Sequence, residues 1–94
     1  MFVIFTRHAI LRMSAGAIAR AEIDRILERG EVIERYPDDD PYPSVLVLGW
    51  SEGQPIHVVA AHNTAEDETI IITAYRPDPE RWDPGFRVRR RRTS

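Results

Sequence analysis

SVLVLGWSEGQPIHVVAAH, residues 44–62, is the stretch on which the fold turns. An apolar run, Ser44–Trp50, leads into the turn formers Ser51-Glu52-Gly53-Gln54 and then into a second run, Pro55–His62. Two runs of strand length joined by a short Gly-containing turn read as a β-hairpin, with Gly53 at the flexible position. Pro55 suits the start of its strand, where a missing N–H matters least. Val45, Leu46, Val47 and Leu48 leave no polar position, so the first strand is expected to be buried on both faces. In the second strand alternation sends His57, Val59 and Ala61 one way and Ile56, Val58, Ala60 and His62 the other.

Toward the C-terminus, Asn63–Glu68 is a polar turn and Thr69–Tyr75 a further strand centred on Ile70, Ile71 and Ile72. Strict alternation would put Thr69, Ile71, Thr73 and Tyr75 on one face. Strand, turn, strand, turn, strand is most simply an antiparallel meander. Toward the N-terminus, Pro37–Pro43 holds three prolines and cannot extend a strand. Its triplet Asp38-Asp39-Asp40 lacks a Gly-containing metal-loop pattern and reads as solvated turn residues. Glu31–Tyr36 reads as another strand. A helix is expected from about Ala17 to Arg29, burying Ala19, Ile23, Ile26 and Leu27, with Gly30 as a left-handed stop. Ser14-Ala15-Gly16 is a break. Before it come a short helix over 7–14, capped by Thr6, and a strand over 2–6. In that first helix Ala9, Ile10 and Met13 are expected to face the core.

Helices precede most of the sheet, so the fold class is α+β: two N-terminal helices packed on one face of a small, mostly antiparallel sheet. Residues 1–84 are expected to form the single domain and residues 85–94 a basic, flexible tail. Between them, residues 76–85 contain three prolines and no period, and read as an extended segment wrapping the body, pinned by Trp82.

The 94 residues suffice for one small domain. All 13 basic residues are arginine, which excludes a lysine as general base or Schiff-base former. Cysteine is absent, so there is no disulfide framework or thiolate metal site. The net charge is −2, yet Arg87, Arg89, Arg90, Arg91 and Arg92 crowd a tail without acids. A basic block of this kind suits contact with nucleic acid or a partner. No stretch approaches a membrane span, and the apolar run after Met1 is too short for a signal peptide, so a cytoplasmic protein is expected.

His8 and Arg12 are four apart and share one helix face. Imidazole moves protons near neutral pH, and guanidinium offers phosphate a planar fork of donors. If the last two strands pair, His57 and Tyr75 become neighbours at the open end of their hairpin. A cluster of His8, Arg12, His57 and Tyr75 would hold the parts for RNA cleavage: a base for the ribose 2′-hydroxyl, an acid for the leaving 5′-oxygen, and a cation for the phosphorane. The two histidines would serve as base and acid, with Tyr75 assisting or stacking. Arg7, Arg12 and Arg76 would hold the substrate. Such chemistry uses the neighbouring 2′-hydroxyl and calls for no metal or cofactor, and no HxH, HxxxH or HExxH spacing is present. The rival readings are a non-catalytic protein- or nucleic-acid-binding module acting through the tail and Trp82, and a small enzyme of other chemistry using a histidine pocket.

The ordered motifs TRHAxxRM, GEVIExYPDD, YPSxLVLGW, PIHVV and ITAYxPDPxxW run from about Phe5 to Trp82. As a set they resemble a bacterial domain-of-unknown-function family of small proteins, similar in turn to the RelE and BrnT class of toxins from type II toxin–antitoxin pairs. The resemblance implies two N-terminal helices on a small antiparallel sheet. It also implies a ribonuclease-like toxin acting on RNA, held inactive by a cognate antitoxin of zinc-finger or helix-turn-helix type. The family's recurring polar positions fall on His8, Arg12, His57 and Tyr75. An acidic body departs from that class, whose members are usually basic.

Overall fold

A computed structural model describes residues 2–91. In chain order the elements are β1 (Phe2–Phe5), α1 (Arg7–Ala15), α2 (Arg20–Arg29), β2 (Glu31–Tyr36), β3 (Ser44–Ser51), β4 (Gln54–Asn63) and β5 (Glu68–Tyr75). The strands form one sheet in the order β1-β5-β4-β3-β2. β3, β4 and β5 are the expected antiparallel meander, and β2 adds antiparallel to β3. β1 returns to the far edge and pairs parallel with β5. The fold is therefore α+β with a mostly antiparallel sheet, and the helices share one of its faces.

Thr6 joins β1 to α1. Its Oγ1 accepts from the Ala9 N–H at 3.0 Å, capping the helix as expected, and lies 3.0 Å from the carbonyls of both Ile71 and Ile72. The cap thereby seats α1 on β5. Ala9 and Met13 are buried, but Ile10 is 55% exposed, against expectation. It stands next to Ala9 in sequence, about 100° around the helix, and so leaves the buried stripe.

The break between the helices is made by Ala17, whose φ is +52°, and not by Gly16, whose φ is −92°. α2 consequently starts at Arg20. Ala19 is its exposed N-cap residue and not part of the stripe. Ile18 takes the buried position instead, together with Ile23 and Ile26. Ala19 has no side-chain oxygen to cap with, but Glu22 Oε1 accepts the Ala19 N–H at 2.9 Å.

Gly30 is extended, at φ −73° and ψ 174°, not left-handed. Its requirement is space: a Cβ there would lie 2.5 Å from the Ile26 carbonyl oxygen and 2.6 Å from Val47 Cγ1. At Gly49 a Cβ would meet Ile26 Cγ1 at 2.3 Å. Both glycines let α2 seat closely on β3.

In β5 the register shifts by one residue: Val59 pairs with Thr73, but Ala60 pairs with Ile71. Ile72 is the extra residue of a bulge, so strict alternation fails there. Ile71 joins the core under the helices, while Thr73 and Tyr75 take the face of Val59 and His57.

The core under the helices gathers Ala9, Met13, Ile23, Ile26, Val47, Ile56, Val58, Ile71 and Ala74. The opposite face is also covered over much of its extent, which is why β3 is apolar at consecutive positions. Leu46 and Leu48 are 1% and 2% exposed there. At one end the loop before β3 contributes Asp39, which accepts from Ser44 Oγ, and Tyr42, whose hydroxyl accepts from Asn63 Nδ2. At the other end residues 76–91 fold back as a strap. Trp82 is 3% exposed and pins it, as the sequence suggests. The strap does not part from the body after residue 84. Arg87 and Arg89 pair with Glu31 and Glu34 on β2, Arg90 Nε donates to the Pro79 and Trp82 carbonyls, and Trp82 bridges Arg89. Residues 85–90 of the expected flexible tail thus lie on the body, Arg87 and Arg89 finding acids distant in sequence; Arg92, Thr93 and Ser94 lie outside the described residues.

Candidate functional site

β4 and β5 place His57 opposite Tyr75. The ring of His57 is fully buried, and both its nitrogens are engaged. Nε2 lies 2.9 Å from the carbonyl oxygen of Phe86, which can only accept. Nε2 therefore carries the proton, and Nδ1 is left with a lone pair. The Tyr75 hydroxyl lies 3.2 Å from Nδ1 and donates to it. Trp82 meets the imidazole edge to face at 4.4 Å and closes it from solvent. Burial lowers the His57 pKa below its ordinary 6.5, only partly opposed by the Phe86 carbonyl, so the ring is neutral at physiological pH. Burial likewise raises the Tyr75 pKa, keeping the phenol protonated.

Tyr75 also faces outward. It lines a cleft of about 310 Å³ together with Arg12, Arg76, Arg81, Trp82, Arg89 and the acid Asp78. A smaller hollow of about 260 Å³ continues past Arg12, Tyr75 and Arg76 to Ala15 and Gly16. The guanidinium carbon of Arg12 sits 5.8 Å from the centre of the Tyr75 ring, within cation–π range. Arg12 has no ion pair among the described residues.

The other arginines are partly occupied. Arg76 Nε donates to the Gly16 carbonyl at 2.8 Å, tying the helix connection to the end of β5. Arg81 is 3.9 Å from Asp78. Arg89 holds Glu34 through two hydrogen bonds at 3.0 and 3.1 Å and covers the Trp82 ring at 4.6 Å. The Arg89 bonds, followed by the hydroxyl of Tyr36, hold the Glu34 pKa low against its partial burial; those bonds raise Arg89 in turn.

Of the residues singled out from sequence, Arg12, His57, Tyr75 and Arg76 converge. His8 and Arg7 do not join them. Both are exposed on the first turn of α1, line neither hollow, and have no ion pair among the described residues. Sharing a helix face with Arg12 is insufficient, because one turn displaces His8 by about 5.4 Å along the axis and the cleft opens at the helix's last turn. Sequence reasoning missed Arg81 and Arg89 as lining residues. The available signal was the pairing of Arg81 with Trp82 in the proline-rich segment. Nothing in the tail's composition marks Arg89 apart from its neighbours. Among the described residues no three His, Cys, Asp or Glu side chains converge as metal ligands would.

Residues 5–76 match the family described as a domain of unknown function, DUF4258. The chain belongs to that family. The DUF4258 match contains Arg12, His57, Tyr75 and Arg76 and ends where the strap begins, so Arg81, Trp82, Phe86 and Arg89 reach the site from beyond it. The chain matches no curated protein and no solved structure. No helix among the described residues is long and apolar enough to cross a membrane.

Proposed function

We propose that this DUF4258 protein is a metal-independent endoribonuclease, the toxin of a type II toxin–antitoxin pair, acting in the cytoplasm and held by a cognate antitoxin of zinc-finger or helix-turn-helix type. The observation that carries the chemistry is the Tyr75–His57 hydrogen bond at the floor of an arginine-rimmed cleft. His57 is sealed from solvent, so Tyr75 is the catalytic residue that meets RNA and His57 is the positioning residue behind it. As the ribose 2′-oxygen attacks phosphorus, its proton passes to the Tyr75 oxygen while the phenolic proton passes to His57 Nδ1. The resulting imidazolium keeps its Nε2–H on the Phe86 carbonyl. The same path returns one proton through Tyr75 to the departing 5′-oxygen. The products are a 2′,3′-cyclic phosphate and a 5′-hydroxyl. Arg12, which has no ion pair among the described residues, stabilises the negative charge on the phosphorane. The toxin assignment rests on the motif resemblance, and the antitoxin follows from it.

The test is cleavage of a single-stranded RNA by purified protein with EDTA present, parent against Tyr75→Phe. Tyr75→Phe keeps the ring and is expected to lose about 100-fold or more in rate, with an unchanged circular-dichroism spectrum. Regulated expression in bacteria should arrest growth with the parent and not with Tyr75→Phe. Equal cleavage by both, or cleavage abolished by EDTA, would overturn the reading. No cleavage by a folded parent would leave the protein a binding module.

A further inference from the structure

A second hollow, of about 370 Å³, opens between the C-terminal end of α2 and the end of β3. Arg25, Arg29, Arg87, Glu31 and Trp50 line it, around the bare backbone of Gly30 and Gly49. Trp50 is 52% exposed, although the chain's other tryptophan is sealed in the body. Its ring is not loose. Phe86 meets it edge to face, at 6.0 Å and 74°, and holds it in place with much of its surface open. Arg87 is bonded to Glu31 at 2.8 Å, which offsets that acid. Arg25 and Arg29 have no hydrogen bond or ion pair to their guanidinium groups among the described residues.

We propose that this hollow is a nucleotide subsite, in which a base stacks on Trp50 and its phosphate is held by Arg25 and Arg29. An ordered, half-open indole beside unpaired guanidinium groups is the pairing that single-stranded nucleic acid requires: a π-face for the base and cations for the backbone. The inference rests on the ribonuclease reading for the identity of its ligand, and extends it by giving the strand a second point of attachment. The strap connects the two places. Phe86, at φ +58°, turns its ring to Trp50 and its carbonyl to His57. Arg87 lines this hollow and Arg89 the Tyr75 cleft. Two residues of chain span at most about 7 Å, so the two linings adjoin along the strap.

The probe is a tetradeoxyadenylate, which lacks the 2′-hydroxyl and is not cleaved by the proposed chemistry, compared with an abasic tetramer bearing the same phosphates. Trp82 is buried, so quenching of tryptophan fluorescence reports Trp50. The tetradeoxyadenylate is expected to quench saturably and to bind at least about 10-fold more tightly than the abasic tetramer. Trp50→Ala should remove that preference and Trp50→Phe should keep most of it. Arg25→Ala with Arg29→Ala should weaken both tetramers. Equal affinity for the two tetramers, or equal binding of the tetradeoxyadenylate by Trp50→Ala as followed by fluorescence anisotropy of a labelled tetramer, would overturn the proposal. So would a glutamate-rich peptide that binds more tightly and displaces the tetramer, which would mark the hollow as a protein-docking site. Binding of the uncleaved tetramers is read whether or not the parent cuts RNA, so loss of cleavage and loss of this subsite are separable.

Discussion

The two faces of the sheet are built by opposite means. Under the helices, Ile56, Val58, Ala60, Ile71 and Ala74 meet Ile23, Ile26, Ala9 and Met13. Under the strap, alternate residues of the same strands include His57 and Tyr75, covered by Trp82, Phe86 and an Arg89–Glu34 pair. Both faces bury apolar side chains. Only the second also buries a titratable group, and it does so by giving every hydrogen-bonding atom a partner: among the described residues no buried side-chain nitrogen or oxygen lacks one. A face closed by an irregular segment can hold a proton carrier against solvent while leaving its neighbour Tyr75 open to a cleft. A helix packed by ridges of Ile and Met has no carbonyl free to hold an imidazole, because its carbonyls are spent on its own turns.

The comparison can be broken most decisively at Trp82. If the strap face is a second core, Trp82→Ala should cost about 3–5 kcal/mol in urea unfolding and bring the His57 pKa, followed by NMR, back toward its ordinary value as water enters. A cost under about 0.5 kcal/mol would show the strap to be only draped on the body. Ile23→Ala, on the helix face, should cost about 2–5 kcal/mol and leave the titration of His57 alone.

A smaller effect separates the faces by pH. The folded His57 pKa lies below the unfolded one, so the unfolded chain binds more protons between the two values. The His57 contribution to stability is therefore complete above about pH 6.5 and is lost as pH falls toward the folded value. Thermal melts of the parent should show this slope, and His57→Gln should flatten it. Proposed catalysis needs neutral His57, so the acid limb of the pH–rate profile should lie below pH 6.5 too. The smallest change is expected at Arg87→Ala. Its pair with Glu31 joins side chains 55% and 52% exposed, and such pairs contribute about 0–1 kcal/mol. Denaturation in low and high salt should show the difference shrink with salt.

How far the sequence could be read follows the same division. The β3–β4 hairpin was legible because apolar runs and a Gly turn report local geometry directly. Buried consecutive positions Leu46, Val47 and Leu48 even announced two covered faces. The bulge at Ile72 was not legible, because Ile70, Ile71 and Ile72 are chemically alike and any of them suits either face. Gly30 was misread for a related reason: a glycine after a helix serves a left-handed turn or a close approach equally well, and only the position of Val47 decides. The pairing of His57 with Tyr75 followed from strand order, whereas the removal of His8 depended on where α1 ends against β5. The strap was the hardest part. Five arginines among ten residues suggest solvent, and the actual partners of Arg87 and Arg89, Glu31 and Glu34, lie 55 or more residues away.

The pairing of the first strand with the last has a consequence for synthesis. Thr6 reaches across 66 residues to the carbonyl of Ile72, so β1 and α1 leave the ribosome with no edge to join until β5 follows. At about 5–20 residues per second that is a wait of several seconds. The guanidinium of Arg12 and the phenol of Tyr75 meet only when this ring of the chain closes, so the cleft they share does not exist on a half-made polypeptide. The order of assembly thereby acts as a timer: whatever the cleft does to RNA begins after most of the chain has been translated.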